Sequence, residues 1–205
     1  MSSFFSSLLA LILILGCAAA VLIGWLIAIY NKLVSLKARL ENAFAQIEVQ
    51  LTRRYDLIPN IVEVAKAYLK HENDTLLNVV NARNDAAASL KEAAARPGDP
   101  AAIEALNAAE KRLAGGLGGL RLQVEAYPEL KGDRVMTQLS EELASTENRV
   151  AFARQAFNDA VTAYNIRRNS FPSSIVANAC GHTKDAALLQ AENREAIQAA
   201  PKISF

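Results

Sequence analysis

The chain has 205 residues, enough for one or two domains, and it carries 22 basic and 21 acidic side chains. A net charge of +1 excludes a chain-wide electrostatic attraction to nucleic acid, so no nucleic-acid partner is expected. Alanine, the best helix former, occurs 38 times, whereas there are only 9 glycines and 6 prolines. This composition predicts an all-α fold. The two cysteines, Cys17 and Cys180, are too few for a disulfide framework.

The N-terminal segment is apolar, and the first charged residue is Lys32. Within it, residues 8–29 form an apolar run that no charge interrupts. A helix of that length measures about 33 Å, enough to cross a hydrocarbon core of about 30 Å. We therefore expect residues 1–7 to be a short tail, residues 8–30 to be a transmembrane helix, and the lipid bilayer to be a partner.

Two other interpretations of this segment are a cleaved signal peptide and a lipoprotein signal. A signal peptide has a basic region before its apolar core, and residues 1–7 contain no Lys or Arg. Ile14 to Cys17 reads ILGC and resembles a lipobox, but bulky Leu15 precedes Gly16 and the apolar run continues beyond the cysteine. The pattern favours a retained membrane helix.

Flanking charge predicts the orientation of this helix. Lys32, Lys37 and Arg39 follow the apolar run, and nothing basic precedes it. The positive-inside rule then predicts that the N-terminus lies outside and that the C-terminal domain is cytoplasmic.

Small residues recur every fourth position in the predicted membrane helix. They are Gly16, Ala20, Gly24 and Ala28. Such a ridge lets a second backbone approach closely, so we take these four residues as a candidate helix–helix contact and expect a homo-oligomer. The alternative is that the ridge reflects only the Gly and Ala content common to membrane helices.

Beyond the membrane helix, apolar residues recur in alternating steps of three and four from Leu40 to Leu90, which predicts helix. The one irregular step, a repeated step of four, lies between Leu51 and Tyr55, just before Pro59. Either one very long helix, continuous with the membrane helix, kinks there, or a new helix starts with Asp56 as N-cap. We favour the kink, because the apolar stripe continues on both sides.

Two further stripes of this kind follow a clear break at residues 96–100, which read RPGDP. Asp99 is a candidate N-cap for a helix that runs to Tyr127. The apolar register is preserved through residues 115–119 (GGLGG), which predicts a weak helix there rather than a linker. A third helix is expected to open at Gly132-Asp133 and to end at residues 170–172.

Two short elements complete the prediction. Ser173 can cap a short helix ending near Gly181, and Thr183 can cap an amphipathic helix from Lys184 to about Ala199. No segment alternates as a strand does. The predicted fold is therefore all-α, with an N-terminal transmembrane helix followed by an antiparallel bundle of long helices.

Several segments resemble the LemA family of bacterial membrane proteins. They are YNKLVSLKARLENAFAQIEVQLTRRYDLIPNIVEVAKAY (Tyr30 to Tyr68), EAYPELK (Glu125 to Lys131), TENRVAFARQAFNDAVTAYN (Thr146 to Asn165) and FPSSIVA (Phe171 to Ala177). The resemblance implies one helix in the bacterial inner membrane, a helical-bundle domain over residues 31–177, and no established activity or cofactor. The chain departs from the family pattern at Cys180-Gly181-His182, and residues 178–205 are expected to form a C-terminal helix and tail.

Few residues of the chain are candidates for catalysis or metal binding. Cys180, His182 and Asp185 form the best local cluster, but a thiol two residues from an imidazole rarely works as a nucleophile–base pair, and three ligands hold a metal only loosely. We therefore expect no enzyme, no catalytic or metal-binding residue, and no cofactor.

Three charged residues lie at positions of the apolar stripes where an apolar residue is expected. Glu72, Arg83 and Glu110 interrupt apolar stripes, and they either fix the helix register or lie peripherally with their heads in water. Near Pro59, the charges of Arg53, Arg54 and Asp56 form either a partner contact or a local ion pair.

These features together predict a membrane-anchored helical scaffold that self-associates and organises a membrane patch or recruits partners. The alternative function is an accessory or adaptor subunit of another, unidentified membrane protein, such as a protease or a transporter.

Overall fold

The computed structural model describes residues 2–69 and 72–190, with side chains from residue 9 onwards. The described part is all-α and contains no strand, which confirms the predicted fold class. Its helices are α1 (Ser2–Tyr68), α2 (Asn73–Ala95), α3 (Pro100–Ala126), α4 (Pro128–Lys131), α5 (Arg134–Asn169) and α6 (Ser173–Ala179).

Helix α1 runs without a break from the apolar N-terminal segment into the bundle. Its 67 residues correspond to a length of about 100 Å. Pro59 lies inside this helix, so the expectation that no loop separates the two sides of Pro59 is confirmed. Residues 9–28 are all exposed, and burial begins at Ile29. One helix thus contains both the exposed apolar N-terminal segment and a helix of the bundle.

The helix predicted to run from Leu40 to Leu90 is not one helix, and this part of the prediction is wrong. Helix α1 ends at Tyr68 and α2 begins at Asn73. The stripe survives the break, because Leu69 and Leu76 on either side of it are both buried. Folding back buries the apolar stripe of α2 against α1 and α3, which an unbroken helix would leave uncovered.

The breaks predicted from local turn chemistry are confirmed. Asp99 caps α3, accepting a hydrogen bond from the backbone N–H of Ala102 at 3.1 Å. Asp133 caps α5 in the same way, at 2.9 Å from the nitrogen of Met136. Helix α3 continues through residues 115–119, so the glycine-rich stretch is helical as its register predicted.

The long helices pack antiparallel around one core. Helix α1 packs along α5 and α2, and α2 packs along α3. In the centre, the rings of Phe44 on α1 and Phe157 on α5 meet edge to face, with their centroids 5.4 Å apart. Towards the far end of the bundle, the hydroxyl of Tyr68 donates to Asp133 at 3.0 Å. The order of these contacts along α1 and α5 shows that the two helices run in opposite directions.

The C-terminal part of the described chain differs from the prediction. The short helix α6 is present, but Pro172 occupies its N-cap position and Ser173 is buried inside the helix. Residues 184–190 are not helical, so the expected helix from Lys184 is wrong over these residues, and its remainder to Ala199 lies outside the described part. Residues 186–190 instead form a segment, called the strap below, whose backbone is bonded by side chains of the bundle.

Candidate functional site

The predicted small-residue ridge lies on the free part of α1. Gly16, Ala20, Gly24 and Ala28 are all exposed. A Cβ atom built on Gly16 or Gly24 would meet nothing within 4 Å. Since no other described element covers this surface, lipid or a neighbouring helix can reach the ridge.

A small apolar cluster joins the free part of α1 to the bundle. Ile29 and Leu33 on α1 are 2% and 0% exposed, and they pack against Val176 and Ala177 of α6. This cluster is separate from the main core of the bundle. It fixes α6 beside the last turn of the predicted membrane helix.

The cluster of Cys180, His182 and Asp185 does not converge. The imidazole Nδ1 of His182 lies 2.9 Å from the hydroxyl of Tyr164, while Asp185 pairs with Arg168 at 2.6 Å. Cys180 is exposed. Within the described ranges, no group of three or more His, Cys, Asp or Glu side chains is placed to hold a metal ion. The three residues therefore serve different contacts.

Electrostatics around His182 disfavour its protonation. Burial has the largest effect, and the positive charges of Lys37 and Arg168 add to it, so the pKa of His182 is lowered from its ordinary value. Burial also raises the pKa of the Tyr164 hydroxyl. Both shifts favour the neutral forms of the two groups that meet in the Tyr164–His182 contact.

Asparagine side chains hold the strap to the bundle. Asn165 on α5 donates to the carbonyl oxygen of Ala186 at 2.8 Å and accepts from the nitrogen of Ala186 at 2.9 Å. Asn158, two turns earlier, makes the same pair of bonds to Leu189 at 3.0 and 2.9 Å. The side chain of Leu189 is buried in the main core.

The strap is also bonded to α3 and to the turn before it. Asn107 on α3 accepts from the nitrogen of Gln190 at 2.9 Å, and the nitrogen of Ala187 donates to the carbonyl oxygen of Gly98 at 3.0 Å. These bonds replace the ones that a helix would make, which explains why the strap is not helical. Sequence reasoning missed this site. The available signal was the seven-residue spacing of Asn158 and Asn165, which places them on one face of α5.

Two of the stripe-breaking charges lie in a polar cluster at the centre of the bundle. Arg54 on α1 forms an ion pair with Glu110 on α3, and both side chains are buried. The hydroxyl of Tyr55 donates a second hydrogen bond to Glu110. Arg83 on α2 donates to the carbonyl oxygen of Tyr55 at 3.0 Å and lies 3.5 Å from Asp56. The cluster thus ties three helices together at one level, which supports a register role for Arg83 and Glu110.

Glu72 and Arg53, the other charged residues that the sequence singled out, lie at the periphery of the bundle. Glu72 is half-buried at the start of α2 and makes no capping side-chain bond. Arg53 pairs with Glu142 on α5 at 2.8 Å, with both side chains substantially exposed. Around Pro59, the structure therefore brings the charges into ion pairs within the chain.

An open groove of about 460 Å³ lies between α2 and α3. Its lining includes Gly115 and Gly119, where an added Cβ would meet nothing within 4 Å. Asp85 and Arg112, whose charged atoms are 3.7 Å apart, also line it. The groove is a free surface on the side of the bundle formed by α2 and α3.

A comparison with protein-family models matches residues 43–205 to the LemA family. The match covers most of the bundle and the C-terminal segment. No curated protein matches the chain.

Proposed function

Because the chain belongs to the LemA family, we propose that it is a single-pass, membrane-anchored scaffold whose copies associate through their membrane helices. The apolar part of α1 is long enough to cross a membrane by its length and composition. Family membership favours the inner membrane of a bacterium, and the charges that follow the apolar run favour a bundle in the cytoplasm.

The observation that carries this proposal is the uncovered ridge on a helix that continues directly into the bundle. In lipid there is little hydrophobic drive between helices, so association depends on close backbone approach. Gly16 and Gly24 offer that approach, because nothing in the described chain lies near them. The continuous α1 would hold the bundles of associated copies next to each other.

The experiment compares the full chain with two variants in mild detergent, using size-exclusion chromatography with light scattering. Gly24→Ile places a branched side chain where two backbones would meet, and we expect it to lower the mass of the particle. Leu22→Ile is the matched control, because Leu22 is exposed and lies off the ridge. A Gly24→Ile particle with the mass of the wild type would show that the ridge carries no contact.

The second candidate function is an adaptor for another membrane protein, and the open groove between α2 and α3 favours it. A wild-type chain that is monomeric in detergent, and that enriches one membrane protein through this groove, would support the adaptor. The matched pair Gly119→Leu, inside the groove, and Leu122→Gln, on an exposed position of α3, tests whether the groove is the contact.

A further inference from the structure

The height of α6 relative to the membrane follows from its contacts with α1. If residues 8–29 cross the hydrocarbon core, Ile29 lies at its edge and Leu33 lies about 6 Å further out. The headgroup layer on each side of a bilayer is about 5–8 Å thick. Because Val176 and Ala177 pack on Ile29 and Leu33, α6 lies at the level of the headgroups. This step rests on the membrane anchor proposed above.

At this level the protein exposes large apolar side chains. Phe171, in the turn between α5 and α6, is 83% exposed, the highest value among the described large hydrophobic residues. Ile175, on the surface of α6 that does not face α1, is 63% exposed. Ile166, on the last turn of α5, is also 63% exposed. No described element covers these three side chains.

The chain at this end of the bundle carries more basic than acidic side chains. The segments 30–41 and 166–185, which meet at this end of the bundle, carry six basic side chains and two acidic ones. The basic residues are Lys32, Lys37, Arg39, Arg167, Arg168 and Lys184. Lys37 lies 4.0 Å from Glu41, and Arg168, whose side chain is 12% exposed, pairs with Asp185. Exposed apolar residues next to basic ones are typical of protein surfaces that lie in the headgroup layer of an anionic membrane.

We propose that the turn between α5 and α6, together with α6, forms a second membrane-contact site. Phe171 and Ile175 insert into the boundary between headgroups and acyl chains. Lys32, which is exposed and lies about 5 Å beyond Ile29 along α1, contacts anionic headgroups. The occupant is the bilayer that α1 crosses, because the site is continuous with the apolar surface of α1. A single membrane helix can change its tilt in the bilayer, and the bundle tilts with it because α1 is continuous. This second contact fixes the tilt.

The test measures the depth of single nitroxide labels in vesicles of phosphatidylethanolamine and phosphatidylglycerol. The two native cysteines are replaced by serine, and the full chain carries one label at a time, through Phe171→Cys or Ile175→Cys. Phe152→Cys is the matched control, since Phe152 is 74% exposed. Phe152 lies on α5, the helix that leads into the turn, and is about 28 Å from Phe171 along the helix axis. Leu22→Cys reports on the anchor itself.

We expect the ratio of collisions with oxygen to collisions with a water-soluble nickel chelate to be several-fold higher at positions 171 and 175 than at 152. Equal ratios at 171 and 152, with a lipid-like value at 22, would overturn the contact site and leave the anchor intact. A water-like value at 22 would overturn the anchor as well. Low collision rates with both reagents at 171 would show that a second copy of the chain covers the surface, which also overturns the lipid assignment.

Discussion

Arg54 and Glu110 form a buried ion pair that joins α1 to α3. They are buried side by side, 56 positions apart in the chain. Removing one partner of a buried ion pair costs about 3–5 kcal/mol, whereas an apolar pair of similar volume is often tolerated. We therefore expect Glu110→Leu or Arg54→Met alone to lower the free energy of unfolding by several kcal/mol, and the double variant to recover most of the loss.

Thermal unfolding of the full chain in detergent, followed by circular dichroism, measures these differences. Arg53→Met is the control, because its ion pair with Glu142 is exposed and exposed pairs contribute about 0–1 kcal/mol. A double variant that loses as much as the two single variants together would contradict the expected coupling.

We expect the stability of the region around His182 to depend on pH. Its pKa is lowered from the ordinary 6.5, mainly by burial and then by the charges of Lys37 and Arg168. A base with a lowered folded-state pKa contributes stability that is present above the unfolded-state pKa and is lost as the pH falls below it. We expect the strap to exchange its amide hydrogens faster, relative to intrinsic rates, as the pH falls through about 6.5.

Mass spectrometry of hydrogen exchange on the full chain measures this effect at residues 186–190. The control is His182→Gln, which keeps a polar side chain near Tyr164 and cannot titrate. If His182→Gln shows the same pH dependence as the wild type, His182 is not the group responsible.

The sequence could predict contacts between residues that are close along the chain, but not contacts between residues far apart in it. Asp99 and Asp133 were identifiable as caps, because a cap bonds to a residue only three positions away. Glu110 was identifiable as unusual, because it interrupts an apolar stripe. Arg54 was identifiable as one of the charges near Pro59, but its pairing with Glu110 was not, because the ion pair exists only after two helices have packed. The bonds of Asn158 and Asn165 to the strap depend on the packed structure in the same way.

Among the elements, α3 offers a direct test of its glycine-rich stretch. Gly118 is helical and exposed, and an added Cβ would meet nothing within 4 Å. Since alanine is favoured over glycine by about 1 kcal/mol in a helix interior, Gly118→Ala should stabilise the bundle by roughly that amount. Gly98→Ala should destabilise it, because Gly98 has φ +83° and its Cβ would lie 3.1 Å from that of Ala186.

Thermal unfolding of the two variants provides the measurement. A loss of stability in Gly118→Ala would show that this flank of α3 packs closely against another chain. In that case Gly118→Ala should also change the mass of the particle in detergent.

Element boundaries were predictable where Pro, Gly or a capping residue marks them, as at residues 96–100. The break between α1 and α2 contains no Pro or Gly, and Glu72, at the N-cap of α2, makes no capping side-chain bond. Leu69 and Leu76 keep the helical register across it, so periodicity alone could not distinguish one long helix from a helical hairpin. The strap was wrongly predicted to be helical for a related reason. Its residues suit an amphipathic helix, but the side-chain amides of α3 and α5 bind its backbone in a non-helical form.

Because α1 is continuous, the orientation of the membrane helix determines the side of the membrane on which the bundle lies. The basic residues Lys32, Lys37 and Arg39 follow the apolar run within about 15 Å. The positive-inside rule acts on charges at this distance, so we expect the bundle in the cytoplasm. Because α1 has no loop between Ser2 and Tyr68, the bundle must lie on the side of the membrane that these charges select.

Thiol labelling in spheroplasts tests this orientation. Cys180 is a poor reporter, because it lies at the end of α6 beside the proposed membrane surface. Leu122→Cys is better placed, in a chain whose native cysteines are serine, since Leu122 is 69% exposed on α3. A membrane-impermeant maleimide should leave position 122 unlabelled in intact spheroplasts and label it after lysis. Ser3→Cys, in the N-terminal tail, is the opposite control and should react before lysis. Labelling at 122 in intact spheroplasts would place the bundle outside, and the translocated domain would then have overridden the three flanking charges.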